Sequence, residues 1–111
     1  MPTEDNQLNT IHARLIKGIE LYQQGQYKLA QVQFEYVLSK DNSCLIAHRS
    51  LAEIALIEGT AKNHIKPLQT CSAIHPASSE VSHTLAMCYQ QARELPLAIE
   101  QYRNALDIIL N

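Results

Sequence analysis

The sequence predicts an all-α protein, a solenoid of three repeats and six helices, and three observations support this class. Residues recur at a spacing of 34 positions, as Gly25 and Gly59 illustrate. Apolar residues recur at three- and four-residue spacing along almost the whole chain, which is typical of amphipathic helices. Breaks containing Gly, Pro or Asn separate these stretches. A fixed period of about 20 to 50 residues predicts stacked units, because one unit is too small to bury its own apolar face.

The breaks between apolar stretches define six helices in order. Residues 23–26 separate the first two helices, and residues 39–43 close the first pair. Residues 58–60 and 75–78 do the same for the second pair. The third pair divides at Arg93–Pro96, where Pro96 suits the first turn of a helix. The predicted helices lie near residues 6–24, 27–40, 45–58, 61–74, 79–92 and 95–109.

The fourth helix departs from this regular pattern. Pro67 lies inside it, and His64 stands where a small residue would allow close helix contact. An interior proline destabilises a helix by about 3 kcal/mol, so we expect the helix to begin late, with Asn63 as its N-cap and Pro67 in its first turn. Two interpretations stay open: a shortened or bent segment without functional purpose, or a loosened helix that widens a binding groove.

Three sets of equivalent positions carry a family resemblance. The first helix of each copy has a small residue at Gly18, Ala52 and Ala86. The second helix has a large residue at Phe34, Leu68 and Tyr102. The turn between them has Gly25 and Gly59, with Arg93 in the third copy. These residues resemble the tetratricopeptide repeat, a helix-turn-helix unit of 34 residues, and the resemblance covers residues 11–111 without a gap.

The resemblance implies a right-handed α-solenoid with a defined organisation. Residues 1–10 form a polar, partly helical lead-in, and repeats follow at residues 11–44, 45–78 and 79–111. The second helix of the middle repeat is degenerate. No separate capping helix follows the third repeat, although the family usually has one.

Equivalent positions also differ between the two ends of the array. The first copy is charged at two positions that are apolar in the later copies, namely Lys17 against Leu51 and Leu85, and Glu20 against Ile54 and Cys88. Terminal repeats need a polar outer face, so we expect the N-terminus to be a true end. The last helix keeps an apolar face at Tyr102, Leu106, Ile109 and Leu110. Either a next helix is missing because the chain was cut from a longer protein, or two copies bury these faces in a homodimer.

Composition excludes several function classes. The chain has 111 residues, a net charge of −2 and no run of Lys or Arg, so it lacks the basic surface of a nucleic-acid or anionic-membrane binder. Its apolar runs, such as residues 108–110, are far too short to span a membrane. The polar N-terminus is not a signal peptide. Three cysteines cannot all pair, and Cys71 and Cys88 are expected to pack as small buried residues in a reducing cytoplasm.

No motif predicts catalysis, a cofactor or a metal. The five histidines lack the spacing of zinc sites, no Cys-x-x-Cys pair occurs, and the three isolated glycines cannot form a phosphate-binding loop. We therefore expect a non-catalytic protein.

A partner-binding groove is the expected functional site. In the family, the first helices of successive repeats line a concave face. That geometry places twelve residues on it: His12, Leu15, Ile19, Tyr22, Ile46, Arg49, Glu53, Leu56, Glu80, His83, Met87 and Gln90. The set is apolar at its N-terminal end and polar at its C-terminal end, which suits a peptide or amphipathic helix. Alternatively, Leu15, Ile19, Ile46 and Leu56 simply extend the core.

The groove lacks the family's best-known ligand chemistry, a carboxylate clamp that holds the C-terminus of chaperones. The clamp positions carry five mismatched residues, namely Leu15, Ile19, Ser50, Glu80 and Thr84. The sequence therefore predicts a protein–protein interaction module with a different ligand. Two alternatives remain, the N-terminal recognition domain of a larger enzyme such as a transferase, and a secretion-type chaperone for apolar client segments.

Overall fold

The computed structural model describes residues 4–111, with side chains from residue 9 onward, and this part of the chain is entirely helical apart from its turns. It contains six α-helices and one short 3₁₀ turn, and no strand among these residues. The elements are α1 (Glu4–Gln23), α2 (Tyr27–Lys40), α3 (Leu45–Glu58), the 3₁₀ turn (Ala61–His64), α4 (Ile65–Ile74), α5 (Ser79–Gln91) and α6 (Leu95–Leu110). The prediction of six helices is confirmed, and five of them agree with the predicted bounds to within two residues.

The three turns inside the helix pairs share one backbone geometry. Each contains a residue with positive φ, namely Gly25 at 77°, Gly59 at 81° and Arg93 at 65°. The residue that follows each of them donates its N–H to a carbonyl five positions earlier: Gln26 to Leu21 at 2.9 Å, Thr60 to Ala55 at 2.8 Å and Glu94 to Tyr89 at 2.9 Å. This is the Schellman ending of a helix, which favours glycine at the left-handed position. The turn is therefore repeated at the 34-residue period.

The segment around Pro67 begins late, as expected, but with a different N-cap. Residues Ala61–His64 form a 3₁₀ turn, and α4 starts at Ile65 with His64 as its N-cap. The expectation of Asn63 as the cap is wrong by one residue, and His64 makes no side-chain capping hydrogen bond. Pro67 is the third residue of α4, so its missing N–H belongs to the first turn, where no helical carbonyl is available.

The structure divides into two compact units, with the boundary inside α3 between Ser50 and Leu51. In the first unit, α1 contacts α2, and Phe34 is fully buried. A Cβ atom built on Gly18 would lie 2.7 Å from Cε1 of Phe34. Only a residue without a side chain fits against the ring at this point, which explains the small residue at this position of the pattern.

The second unit, Leu51–Asn111, has a continuous apolar core. It combines small residues of α3, the 3₁₀ turn and α6 with residues of α4 and α5: Ala52, Ala55, Ala61, Leu68, Leu85, Cys88, Tyr89 and Ala98. Side-chain hydrogen bonds tie its helices together, since Gln69 donates to the Tyr89 hydroxyl at 2.5 Å and Asn104 donates to Ser82 at 2.8 Å. The N-terminus of α5 is capped by Ser78, whose Oγ accepts from the Val81 N–H at 3.3 Å. These bonds fix α5 between α4 and α6.

The exposure of equivalent residues differs between the first copy and the two later copies, as their charged and apolar residues predict. Lys17 and Glu20 are exposed in the first copy. Their equivalents Leu51 and Ile54 in the second copy, and Leu85 and Cys88 in the third, are buried. Cys71 is buried as well, so the expectation that Cys71 and Cys88 act as small core residues is confirmed.

The turn geometry predicts opposite effects for two substitutions of arginine by glycine. Arg93→Gly removes the strain of a left-handed side-chain-bearing residue, and we expect the free energy of unfolding to rise by up to about 1 kcal/mol. Arg103→Gly, the control within α6, should lower it by about 1 kcal/mol. Chemical denaturation monitored by circular dichroism measures both. A loss of stability in Arg93→Gly comparable to that of the control would contradict the turn assignment.

Burial of Cys88 predicts a pH-dependent loss of stability. Desolvation raises the pKa of its thiol from 9.0 to about 11 in the folded protein. Above pH 9 the unfolded thiol ionises while the folded one stays protonated, so stability is fully present below pH 9 and falls as the pH rises toward 11. The stability difference between wild type and Cys88→Ala should therefore be constant below pH 9 and shrink above it. A difference that does not change up to pH 11 contradicts the burial of this thiol.

Candidate functional site

The second unit carries an open depression with an apolar floor and a polar rim. Its volume is about 620 Å³, and it is lined by Leu56 of α3, four residues of α5 and one of α6. We call it the α5 pocket, and its residues are Leu56, His83, Met87, Gln90, Gln91 and Tyr102. His83, Met87 and Gln90 share one stripe of α5 because they are separated by four and three positions.

Tyr102 closes one side of the α5 pocket. Its ring meets the His83 ring edge-on, with 5.7 Å between centroids and 63° between planes. Its hydroxyl donates to Oε1 of Gln90 at 2.8 Å. These two contacts hold α6 against α5 and orient the Gln90 amide, so its nitrogen remains as a donor on the pocket rim.

Gln91 holds the opposite side of the pocket. Its Nε2 donates to the Leu56 carbonyl at 2.9 Å, and its Oε1 accepts from the Ala61 N–H at 3.1 Å. One amide thus satisfies two backbone groups next to the turn at Gly59. Because the oxygen and the nitrogen of its amide are both hydrogen-bonded, the Gln91 side chain is held in place and forms part of the pocket wall.

The rim offers hydrogen-bonding groups that the described residues leave unused. Nε2 of Gln90 and both ring nitrogens of His83 have no hydrogen-bond partner in this part of the chain. The floor is different, since Leu56 and Met87 are half-buried and apolar. Methionine is flexible and adapts to differently shaped ligands. The arrangement fits an apolar group held at the floor and a polar group bonded at the rim.

The structure brings together four of the residues predicted for the groove, and it adds two. Leu56, His83, Met87 and Gln90 lie in the α5 pocket. Gln91 and Tyr102 were not predicted there. No periodic signal marks Gln91, whereas Tyr102 shares its register with the buried residues Phe34 and Leu68. This shared position in the repeat is the sequence feature that could have predicted the packing of Tyr102 toward α5.

The other predicted groove residues lie outside the α5 pocket. Glu53 is half-buried on α3 and Glu80 is exposed on α5. In the first unit, α1 carries Leu15, Ile19 and Tyr22 half-buried with His12 exposed, and α3 carries Ile46 exposed with Arg49 half-buried. Tyr22 also stacks edge-on with Tyr27, with ring centroids 5.4 Å apart.

The predicted interface on the last helix separates into two parts. Leu106, Ile109 and Leu110 are each more than half exposed. Tyr102 is half-buried and bonded to α5, so it is a wall of the α5 pocket and only partly available to a further helix.

The described residues show no metal-binding cluster and no membrane-spanning helix. They contain no group of three or more His, Cys, Asp or Glu side chains arranged to hold a metal ion. One of the five histidines, His48, has its Nε2 2.8 Å from the Asn42 carbonyl oxygen. Within the same residues, none of the helices combines the length and apolarity needed to cross a bilayer.

No model of a known protein family matches the chain, and a search of curated proteins finds no match either.

The two hydrogen bonds of Gln91 predict a local stability effect. Gln91→Ala leaves the Leu56 carbonyl and the Ala61 N–H without their partner, and we expect a loss of about 1–2 kcal/mol. Hydrogen exchange at the Ala61 amide should accelerate roughly tenfold, because local opening becomes easier. Gln90→Ala is the matched control, since it removes only the bond to Tyr102. Equal protection of the Ala61 amide in both variants would contradict the bridging role of Gln91.

Proposed function

We propose that this protein is a non-catalytic interaction module that binds a peptide or amphipathic helix of a partner protein, with the α5 pocket as its anchor site. The observation that carries the proposal is the pocket itself, where Leu56 and Met87 form an apolar floor below free donors on Gln90 and His83. Four of its six residues were expected in the groove from the sequence. We expect it to act in the cytoplasm, because Cys71 and Cys88 pack as thiols.

We further propose that the chain is a right-handed solenoid of three tetratricopeptide-type repeats. Repetition of the local backbone supports this assignment. The positive-φ turns recur at residues 25, 59 and 93. The ends of α2 and α4 also match, since Asp41 N–H donates to Val37 and His75 N–H donates to Cys71, both at 2.8 Å. The loops that follow these two helices form equivalent hydrogen bonds. The Cys44 N–H donates to the Asp41 carbonyl at 3.2 Å, and the Ser78 N–H donates to the His75 carbonyl at 3.1 Å.

The chemistry of the α5 pocket favours a ligand with one large apolar side chain next to an accessible carbonyl. The side chain would lie on Leu56 and Met87, while the carbonyl accepts from Nε2 of Gln90 or from the His83 ring. An acidic C-terminal tail fits poorly, because the neighbouring Glu80 is exposed and repels carboxylates. Thr84 is buried and donates its hydroxyl to the Glu80 carbonyl at 2.9 Å, so it is not available to a ligand.

A peptide selection tests this function. Random peptides displayed on phage are selected on the wild-type protein, and the affinities of the enriched peptides are measured by fluorescence anisotropy. Met87→Glu places a charge on the apolar floor, and we expect it to weaken binding at least about tenfold. Ala73→Glu is the matched control, because Ala73 is exposed on α4 and does not line the pocket.

Circular dichroism and thermal melts establish that both variants remain folded. The proposal fails if no peptide is enriched, or if the enriched peptides bind Met87→Glu as tightly as the wild type.

A further inference from the structure

The outer face of α6 carries an apolar stripe that no described residue covers. Its members are all aliphatic and more than half exposed: Leu95 at 53%, Ile99 at 51%, Leu106 at 54%, Ile109 at 69% and Leu110 at 73%. At 100° per residue they fall within a sector about 100° wide. We call this surface the α6 stripe. The buried residues of the same helix, Ala98 and Ala105, adjoin one edge of this sector, about 20° and 40° beyond Ile109.

We infer that the α6 stripe is the interface of a homodimer in which two copies of α6 pair in antiparallel orientation. Four of the five members of the stripe, all except Ile109, are placed symmetrically about the midpoint between Tyr102 and Arg103. Running antiparallel, Leu95 of one copy faces Leu110 of the other, and Ile99 faces Leu106. A two-fold interface requires such a self-complementary surface, since each copy presents the same patch to the other. The spacing of four and three residues is also that of helices packed along a seam.

Charges beside the stripe complement each other in the same register. Arg103, Glu100 and Asp107 are exposed along one flank, where they line a depression of about 690 Å³. A two-fold axis perpendicular to the helices brings like flanks together. With 1.5 Å of rise per residue, Arg103 of one copy lies within about 3 Å, along the axis, of Glu100 in the other. The pairing therefore forms two symmetric Arg–Glu contacts around the axis. Asp107 has the same axial offset from Glu100 of the other copy, but it lies about 40° farther from the seam than Arg103.

The area of the stripe indicates a weak dimer. The exposed fractions of its five residues amount to about three whole aliphatic side chains, or roughly 300 Å² of apolar surface per copy. Interfaces that bury less than about 1,200 Å² in total belong to transient complexes. We therefore expect a dissociation constant in the micromolar range or weaker, and the measurement has to reach protein concentrations of roughly 1 mM.

Sedimentation equilibrium over a concentration series measures the dimer. Leu106→Glu places a charge in the centre of the stripe, and we expect the dissociation constant to rise at least about a hundredfold. Ile74→Glu is the matched control, since Ile74 is 55% exposed at the end of α4 in the same unit. It should leave the dissociation constant within about twofold.

Charge reversal tests whether a second copy covers the α6 stripe and whether the two helices pair in the proposed antiparallel register. In Arg103→Glu, residue 103 faces Glu100 of the other copy, so the variant repels itself, and Glu100→Arg repels itself for the same reason. An equal mixture of the two variants restores both attractive pairs. We expect each variant alone to dimerise at least about tenfold more weakly than the mixture.

Three outcomes overturn the inference. The wild type stays monomeric at the highest concentration, or Leu106→Glu dimerises as tightly as Ile74→Glu, or the mixture associates no better than its components. A protein that stays monomeric but binds a helix of another protein along the α6 stripe also overturns the inference. None of the substituted residues lines the α5 pocket, so the dimer and the peptide-binding function can fail independently.

Discussion

The whole arrangement depends on one backbone conformation, the left-handed residue that reverses the chain inside each helix pair. At residues 25, 59 and 93 this conformation lets the next N–H reach a carbonyl five positions back. Each first helix therefore ends at a defined residue, and the next helical element, which is α2, the 3₁₀ turn or α6, starts within four positions. Glycine meets this demand without strain in two cases, whereas Arg93 adopts it with a side chain. The same turn forms in all three cases, which indicates that packing of the adjoining helices enforces it.

Short turns bring paired helices close together, and close packing then selects the size of the residues between them. In the first unit, Gly18 leaves room for the Phe34 ring. In the second unit, the equivalent large residues are Leu68, which is fully buried, and Tyr102, which is longer and polar at its tip. Its hydroxyl needs a partner and finds Gln90, while its ring meets His83. The α5 pocket therefore arises where a core position of the repeat pattern is occupied by a residue that cannot be fully buried.

Helix number, bounds and buried small residues could be predicted because they follow from local periodicity and turn chemistry. Cys71 and Cys88 were recognised as core residues for the same reason, since their equivalents Val37 and Ile54 are apolar. The N-cap of α4 was misplaced by one residue, because a 3₁₀ turn and an α-turn differ little in sequence. Gln91 could not be predicted at all. Its role depends on two backbone groups, at residues 56 and 61, that become neighbours of α5 only in the folded unit.

The composition of α6 links the two proposed surfaces. A surface helix of a globular protein needs one apolar stripe, but on α6 an outer stripe adjoins the inner one and extends the apolar surface into water. The inner stripe consists of small residues, Ala98 and Ala105, which permit close contact with α5. The outer stripe consists of large aliphatic residues, which add nothing to that contact and remain in water. A helix that served only to complete this core would carry its large aliphatic residues on the side that faces α5. The opposite distribution favours a second packing partner. Tyr102 lies within the sector of the outer stripe and also lines the α5 pocket, so it belongs to both surfaces.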